Sequence, residues 1–409
     1  MEGIVNIESN TARETVLYQW GGSTAAFFTY THLSHDLCTG LLVALLPFIK
    51  EGLGLSYLQS GLLLSAYTIT SGLSQFPGGW IGDRVSRHIV IAIGMGGVGL
   101  TTLVIGLSPT YHLMLVILVI MGIFAGAYHP VVVSMLSGYF EEARRGKVIG
   151  LHIMGGSIGF TIGPVLGGLI ADLLGWRFAF IILGIPALAA VPLILKKFRQ
   201  QELNSVNQSS TNDDTTSQPI PRGIIFQVLQ PIAIIFVLAI LIQLIGGSAM
   251  AFIPIFLVDK HNVAPTYAAM MMGIVRAGGV AGSLFGGWLS DKWSRKGAIF
   301  LAMGATGPAL YLLTLLPFNA GLIVIFILFG ILMYMRHATV QASLMDRVPP
   351  RLMATIFGFY FGLGLEGQSL VQPIAGYFMD IFGIVEIFNV IALTSIGLSL
   401  VALLLAKKA

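Results

Sequence analysis

The sequence predicts an all-α membrane protein in which twelve transmembrane helices form two pseudo-symmetric six-helix bundles. Three observations support this fold class. The 409 residues are 56% hydrophobic and only 10% charged, whereas about 25% of residues are charged in a soluble domain. Apolar runs of about 20 residues, the length that crosses a bilayer, recur from Gly22 to Leu405. A charged segment at residues 78–88 returns at residues 286–296, which indicates two similar halves.

The composition also excludes several classes of protein. A mean hydropathy of +0.87 is too high for a soluble globule, which needs a polar surface. The apolar runs are continuous rather than alternating, which excludes a β-barrel. The net charge of +4 comes from short loops, so it indicates membrane topology and not binding to nucleic acid. Cys38 is the single cysteine, so we expect no intrachain disulfide and no cysteine-based metal site. We also expect no other metal site and no cofactor.

The first half of the chain contains six of the apolar runs. We expect helices at about residues 22–49, 56–80, 88–107, 110–140, 146–174 and 176–196, and residues 22–196 as the N-terminal bundle. Residues 1–21 are polar and lack the basic-then-apolar pattern of a cleavable signal. They are expected to form a cytoplasmic tail.

A polar segment rich in Ser, Thr, Asn and Gln separates the halves. It cannot bury apolar area, so residues 197–224 are expected to form a flexible cytoplasmic linker. The second bundle, residues 225–406, is expected to hold helices at about 225–258, 265–290, 296–316, 319–347, 351–381 and 384–406.

The basic residues predict the orientation of these helices. With a cytoplasmic N-terminus, 17 of the 22 lysines and arginines fall in inner segments and 3 in outer segments. The remaining two, Arg276 and Arg336, lie within helices. This bias places both termini in the cytoplasm under the positive-inside rule. We expect an integral multi-pass protein of the plasma membrane, or of the inner membrane in a bacterium.

The repeated segment has the form Gly-x-x-x-Asp-(Arg/Lys)-x-x-Arg in both copies, at a constant offset of 208 residues. It resembles the loop between helices 2 and 3, and again between helices 8 and 9, of the major facilitator superfamily. The resemblance implies a conformational latch, in which the aspartate holds the facing half and closes the cytoplasmic side. Ordinary topology-setting charge is the alternative. The residues concerned are Gly79, Asp83, Arg84, Arg87, Asp291 and Arg295.

Predicted helix 5 carries the pattern Gly-x-x-x-Gly-Pro-x-x-Gly-Gly. Glycines four residues apart make a flat face for close helix packing, and proline removes a backbone hydrogen bond and bends the helix. The pattern is similar to the antiporter motif of drug/proton exporters in the superfamily, although packing alone would also explain it. Its residues are Gly159, Gly163, Pro164, Gly167 and Gly168.

Ionisable residues inside the predicted helices are costly in hydrocarbon and are therefore functional candidates. His32 and Asp36 are four residues apart and share one face of helix 1, with His35 beside them. Glu366 lies in helix 11. A carboxylate near imidazoles can exchange a proton near neutral pH. These four residues are the predicted proton-coupling group, and pairing of either acid with an arginine is the alternative.

The candidate substrate contacts are cationic or aromatic. Arg276 can anchor an anionic substrate or pair with Glu366, and the sequence leaves both open. The other candidates are His129, Arg336, His337 and Tyr67. For the histidines and the tyrosine, ordinary packing inside the protein is the alternative. We expect His152 at the membrane interface, because it lies near the start of helix 5.

Within the superfamily, the segments at residues 31–36 and 128–130 look like those of the fosmidomycin-resistance branch. The resemblance implies a monomeric, proton-coupled exporter of a small anionic or amphiphilic compound, working in the lipid bilayer by alternating access. A symporter that imports an organic anion is the alternative. A membrane enzyme is not expected, because no metal-ligand spacing, nucleophile elbow or phosphate loop appears.

Overall fold

The computed structural model describes residues 22–206, 233–346, 360 and 367–406. Within these ranges the chain forms twelve helices and no strand. In the first half they are α1 Gly22–Leu53, α2 Tyr57–Gly82, α3 Arg87–Leu107, α4 Tyr111–Tyr139, α5 Glu142–Leu174 and α6 Trp176–Val206. In the second half they are α7 Ala233–His261, α8 Pro265–Lys292, α9 Arg295–Leu315, α10 Ala320–Met345, α11 Gln368–Phe382 and α12 Ile384–Ala406.

These helices confirm the predicted fold class. Ten of them are long and apolar enough to cross a membrane. The exceptions are α2, whose polar Thr68, Ser71 and Gln75 line an internal cavity, and α11, of which 15 residues are described. Many large apolar side chains point outward, as expected for a surface in contact with lipid.

Helix boundaries differ from the predictions mainly where no glycine or proline stops a helix. The sixth helix was expected to end near residue 196, but α6 continues to Val206 through a run of strong helix formers. Similarly, α5 begins at Glu142 and not at residue 146. The ends of α5 and α11 match, because Gly175 and Gly383 follow them with φ of 95° and 94°, a conformation that glycine adopts without strain. The predicted tail, most of the linker, and helix 11 before residue 367, apart from Tyr360, lie outside the described residues.

The two halves repeat one packing scheme at the offset of 208 residues. In the first half α2 packs on α4 and α3 on α6, and in the second half α8 packs on α10 and α9 on α12. The halves meet through α5 with α8 and through α2 with α11. Gly168 and Gly376, which are related by the offset, make these two crossings close: a Cβ at Gly168 would lie 2.8 Å from Ala269 Cβ, and one at Gly376 would lie 2.9 Å from Leu58 N.

Polar contacts join the halves at one end of the bundle. We call this the far end, and the end with the repeated segments the loop end. At the far end Asp259 of α7 accepts hydrogen bonds from Lys50 at 3.3 Å and Tyr57 OH at 2.6 Å. Asp380 of α11 accepts from the backbone N–H groups of Tyr57 at 2.8 Å and Leu58 at 2.9 Å. The carboxylate therefore faces the positive end of the α2 dipole.

Candidate functional site

A cavity of about 330 Å³ lies between the two halves. Its wall is built from α1, α2, α4 and α5 of the first half and from α7, α8 and α11 of the second half. The wall includes four residues that the sequence analysis selected for their charge or aromatic character: Asp36, Tyr67, His129 and Arg276. In membrane transporters built from two repeats, the substrate site lies at the interface of the repeats, and the cavity has this position.

The first-half wall contains a buried group of one acid and several histidines, which we call the acid–histidine cluster: His32, His35, Asp36, His129 and His152. His32 Nε2 lies 3.1 Å from Asp36 Oδ2, and His35 Nδ1 lies 2.8 Å from Asp36 Oδ1. Asp36 is only 4% exposed. Each oxygen of this carboxylate thus has one imidazole partner, and neither partner is an arginine.

Two further rings enclose this group. His129 of α4 lies with its ring centroid 4.7 Å from that of His35 and 5.2 Å from that of His32. Tyr128 stacks on His35 at 4.5 Å, and its hydroxyl is 2.8 Å from Thr31 Oγ1. His129 and Asp36 line the cavity, so one face of the cluster is part of the cavity wall.

The expectation that His152 is interfacial is wrong. The side chain is buried, with 1% exposure, and its ring stacks on that of His32 with centroids 4.1 Å apart. Its Nδ1 lies 3.0 Å from Phe28 O, while His32 Nδ1 lies 2.8 Å from His152 O. Because α5 begins at Glu142, His152 lies ten residues into the helix, about 15 Å from its start and level with His32.

Glycines on α5 make this arrangement possible. α1 and α5 form the most extensively packed helix pair in the described chain. A Cβ at Gly156 would lie 2.5 Å from both Asp36 Oδ2 and His32 Nε2, and one at Gly159 would lie 2.9 Å from Leu37 N. Gly163 and Gly167 also face α1, and Gly168 faces α8. The predicted motif residues therefore lie along the helix that supports the cluster.

The second-half wall is cationic. Arg276 of α8 donates to Tyr334 OH, and its guanidinium lies 4.8 Å above the ring of Phe160 on α5. Arg336 of α10 is 1% exposed and donates to Gln243 Oε1. No carboxylate in the described chain forms an ion pair with either arginine. Glu366, the predicted partner, lies outside the described residues.

Two glutamines connect Arg336 to the cavity wall through hydrogen bonds. Gln243 Nε2 donates to Gln368 Oε1 at 3.2 Å, and Gln368 lines the cavity. His337, by contrast, lies 3.1 Å from Tyr360 OH through Nδ1 and does not line the cavity. Sequence reasoning missed Gln243, Gln368 and Gln372, because a neutral amide in an apolar helix carries no charge to mark it.

The latch residues lie at the loop end. Asp83 is the exposed C-cap of α2, and Arg84 stacks over Trp80 at 4.1 Å. In the second half Arg295 pairs with Asp291 at 2.5 Å and with Asp346 at 2.8 Å, so it ties α8, α9 and α10 together. The ion pairs described at this end lie within one half, whereas the one described at the far end, Lys50 with Asp259, crosses between halves.

His32, Asp36 and His129 each offer one atom that can ligate a metal, and these atoms lie within 4.8 Å of one another. The atoms of His32 and Asp36 are already hydrogen-bonded to each other. Metal binding would replace that hydrogen bond.

Comparison with known proteins agrees with this architecture. The sequence profile of the Major Facilitator Superfamily matches residues 28–367. A probable hexose phosphate transport protein of Chlamydia muridarum is 26% identical over 292 residues, 66% of this chain, and the match spans 62% of that protein's length. The hexuronate transporter of Bacillus subtilis is 23% identical, covering 82% of each chain. The fosmidomycin resistance protein of Escherichia coli is 22% identical, covering 88% of this chain and 90% of its own.

Solved structures show the same fold. A bacterial homologue of the human lysosomal transporter Spinster, in an inward-facing and occupied conformation, superposes with a TM-score of 0.75. The match covers 95% of each chain at 17% sequence identity.

Proposed function

The chain belongs to the Major Facilitator Superfamily, and we propose that it is a proton-coupled exporter of a small anionic compound that works by alternating access. Members of this family are integral multi-pass membrane transporters that bind small molecules, and they are not enzymes. Proton coupling, the anionic substrate and the direction of transport are the new parts of the proposal.

One observation carries the proton coupling: Asp36 is a buried carboxylate on the cavity wall, paired with two histidines and, among the described residues, with no lysine or arginine. A buried charge without a permanent counter-charge is costly, and binding a proton removes that cost. Protonation of the acid–histidine cluster therefore changes the relative free energies of the inward-open and outward-open states. His35 and His32 share the proton with Asp36 through their direct hydrogen bonds.

The cationic second-half wall supports an anionic substrate. Arg276 lines the cavity without a carboxylate partner in the described chain, so an anion can supply the missing counter-charge. The named relatives include transporters of hexuronate and hexose phosphate, which are anions, and a fosmidomycin resistance protein. His129 and Tyr67, on the same cavity, are further proposed contacts, and Arg336 acts through Gln243. We give His337 no direct contact.

The glycine and proline pattern of α5 and the similarity to a resistance protein support export. The alternative is a symporter that imports an organic anion, which the names of the hexuronate and hexose phosphate relatives favour. We further propose that the protein acts as a monomer, that the loop end is cytoplasmic and that Asp83 and Asp291 latch that end in the outward-open state. In this structure the halves are joined at the far end.

Substrate-triggered proton movement tests this proposal. Purified protein in liposomes with an internal pH dye is exposed to D-glucuronate, glucose 6-phosphate, fosmidomycin or the cation tetraphenylphosphonium. We expect at least one anion, and not the cation, to change the internal pH. Anion transport with no pH change would refute proton coupling. Transport of the cation alone would refute the proposal that the substrate is an anion.

A further inference from the structure

The cavity wall contains polar groups that neither proton coupling nor anion binding explains. Thr39 of α1 and Gln372 of α11 line the cavity and are 6% and 3% exposed. Thr39 Oγ1 and Gln372 Oε1 have no hydrogen-bond partner in the chain as described. Leaving such an atom unpaired inside a protein is costly, so two of them in residues of a cavity wall point to a ligand.

Hydrogen bonding fixes which way the neighbouring amide points. A guanidinium can only donate, so the Gln243 oxygen accepts from Arg336 and the Gln243 nitrogen donates to the oxygen of Gln368. The Gln368 amide nitrogen is then left to donate onward. Gly247 leaves room for this relay, because a Cβ there would overlap the Gln368 carboxamide and lie 3.0 Å from Gln243 Nε2.

The amides of α11 are not repeated at the symmetry-related positions of α5. At the offset of 208 residues, Gln368 and Gln372 correspond to Phe160 and Pro164 of α5, which also line the cavity. At these two positions α5 is therefore apolar, whereas α11 presents an amide donor and an amide acceptor. Thr39 adds a hydroxyl from α1, and Arg276 adds a positive charge from α8.

We infer that this wall is a hydroxyl-recognition subsite and that the substrate is a polyhydroxylated anion, such as a sugar acid or a sugar phosphate. The inference rests on the proposed anionic substrate and makes it specific. A hydroxyl group both donates and accepts, so neighbouring hydroxyls pair with the Gln368 nitrogen. They pair with Gln372 Oε1 and Thr39 Oγ1 once rotation of these two side chains brings their buried oxygens to the cavity. An amphiphilic drug of the same size would leave these atoms unpaired. Thr39, Gln368 and Gln372 are the specificity-determining residues.

Matched ligands test this subsite directly. Binding of D-glucuronate, glucose 6-phosphate and cyclohexanecarboxylate to the full-length protein in nanodiscs is measured by calorimetry. Cyclohexanecarboxylate keeps the ring and the charge but has no hydroxyl groups. We expect glucuronate or glucose 6-phosphate to bind at least tenfold more tightly than cyclohexanecarboxylate, and the better of the two distinguishes a carboxylate from a phosphate as the anion.

Near-isosteric substitutions then locate the discrimination. Gln372→Leu is expected to weaken the preferred sugar anion about tenfold and Thr39→Val about fivefold, with cyclohexanecarboxylate binding unchanged in both. Thr68→Val is the matched control, because Thr68 lines the same cavity but its hydroxyl already donates to Leu64 O at 3.0 Å. If Gln372→Leu fails to fold, the comparison of Thr39→Val with Thr68→Val still tests the subsite.

Several results would overturn the subsite. They are equal binding of glucuronate and cyclohexanecarboxylate, binding of neither sugar anion, or equal losses for both ligands in the Thr39 and Gln372 variants. If another anion is still exchanged for protons, the proposed function survives without this inference. If no anion is transported at all, the anionic substrate itself is wrong.

Discussion

The pair His35 and Tyr128 in the first half corresponds to the pair Gln243 and Arg336 in the second, at the offset of 208 residues. Both pairs are in contact: the rings of His35 and Tyr128 stack at 4.5 Å, and Arg336 donates to Gln243. The two halves therefore keep the contact between equivalent helices but change its chemistry. The first half surrounds a carboxylate with imidazoles, and the second half presents cations and amides. On this basis we propose that the first half binds the proton and that the second half binds the charge of the anion.

The far end shows a second departure from symmetry. Asp380 accepts two backbone hydrogen bonds from the start of α2, at Tyr57 and Leu58. The equivalent acid, Asp172, lies on α5, and Pro265 at the start of α8 replaces Tyr57 at the matching position. Proline has no N–H to donate, and no described hydrogen bond reaches the Asp172 side chain. Of these two symmetry-related contacts, α2–α11 is held by a carboxylate, whereas among the described hydrogen bonds no carboxylate holds α5–α8.

The largest effect is expected at the carboxylate of the first half. Asp36→Asn keeps the shape of the side chain but cannot gain or lose a proton, so coupling of transport to the pH gradient should disappear. Substrate-triggered pH change in liposomes measures this. Asp172→Asn, an exposed acid in the same half, is the control and should transport normally. Full coupling in Asp36→Asn would show that the coupled proton binds to another residue.

A methyl group placed beside the cluster should act almost as strongly. Gly156→Ala puts a Cβ 2.5 Å from Asp36 Oδ2 and His32 Nε2, and overpacking of this kind costs about 1–3 kcal/mol. We expect transport to fall about tenfold or more. Gly150→Ala on the same helix is the matched control, because a Cβ there meets nothing within 4 Å. Equal transport rates in the two variants would show that the close approach of α5 to the cluster is unimportant.

The role of the second half is tested by removing Arg276, the cation that lines the cavity. Arg276→Ala should weaken anionic substrates about tenfold, since a charge-assisted contact contributes about 1.5–3 kcal/mol, and should leave any binding of tetraphenylphosphonium unchanged. Thr68→Ala, at the equivalent position of the first half, should affect anions little. Calorimetric titration of both variants measures this, and equal losses for anion and cation would reject the anchor.

The smallest effect is expected at the far end. Asp380→Asn removes a charge from the start of α2, where an exposed charge–dipole contact is worth about 0.3–1 kcal/mol. The population should shift about two- to fivefold toward states open at the far end, as measured by spin-label distances across it. Asp172→Asn should shift nothing. A shift of the same size in both variants would contradict the asymmetry of the clamps.

Periodicity and charge predicted much of this molecule. Apolar runs predicted the helices, and the four-residue spacing placed His32 and Asp36 on one face, where the structure brings them to 3.1 Å. His152 was misplaced because its depth depends on where α5 starts, which loop composition defines poorly. Gln372 was missed because its importance comes from lacking a partner on a cavity wall, and only the assembled halves reveal that wall. The contact between Asp380 and Tyr57 spans 323 residues, beyond any local pattern.

The most direct test of the division between the halves imposes pH gradients of both signs on liposomes containing the protein, with the membrane potential clamped at zero. Uptake of the transported anion is followed in wild type and in Asp36→Asn. The account predicts that an acidic interior accelerates uptake by wild type, because protons leave as substrate enters, and that Asp36→Asn responds to neither gradient. Acceleration by an acidic exterior would make the protein a symporter. Wild-type uptake that ignores both gradients would contradict the account.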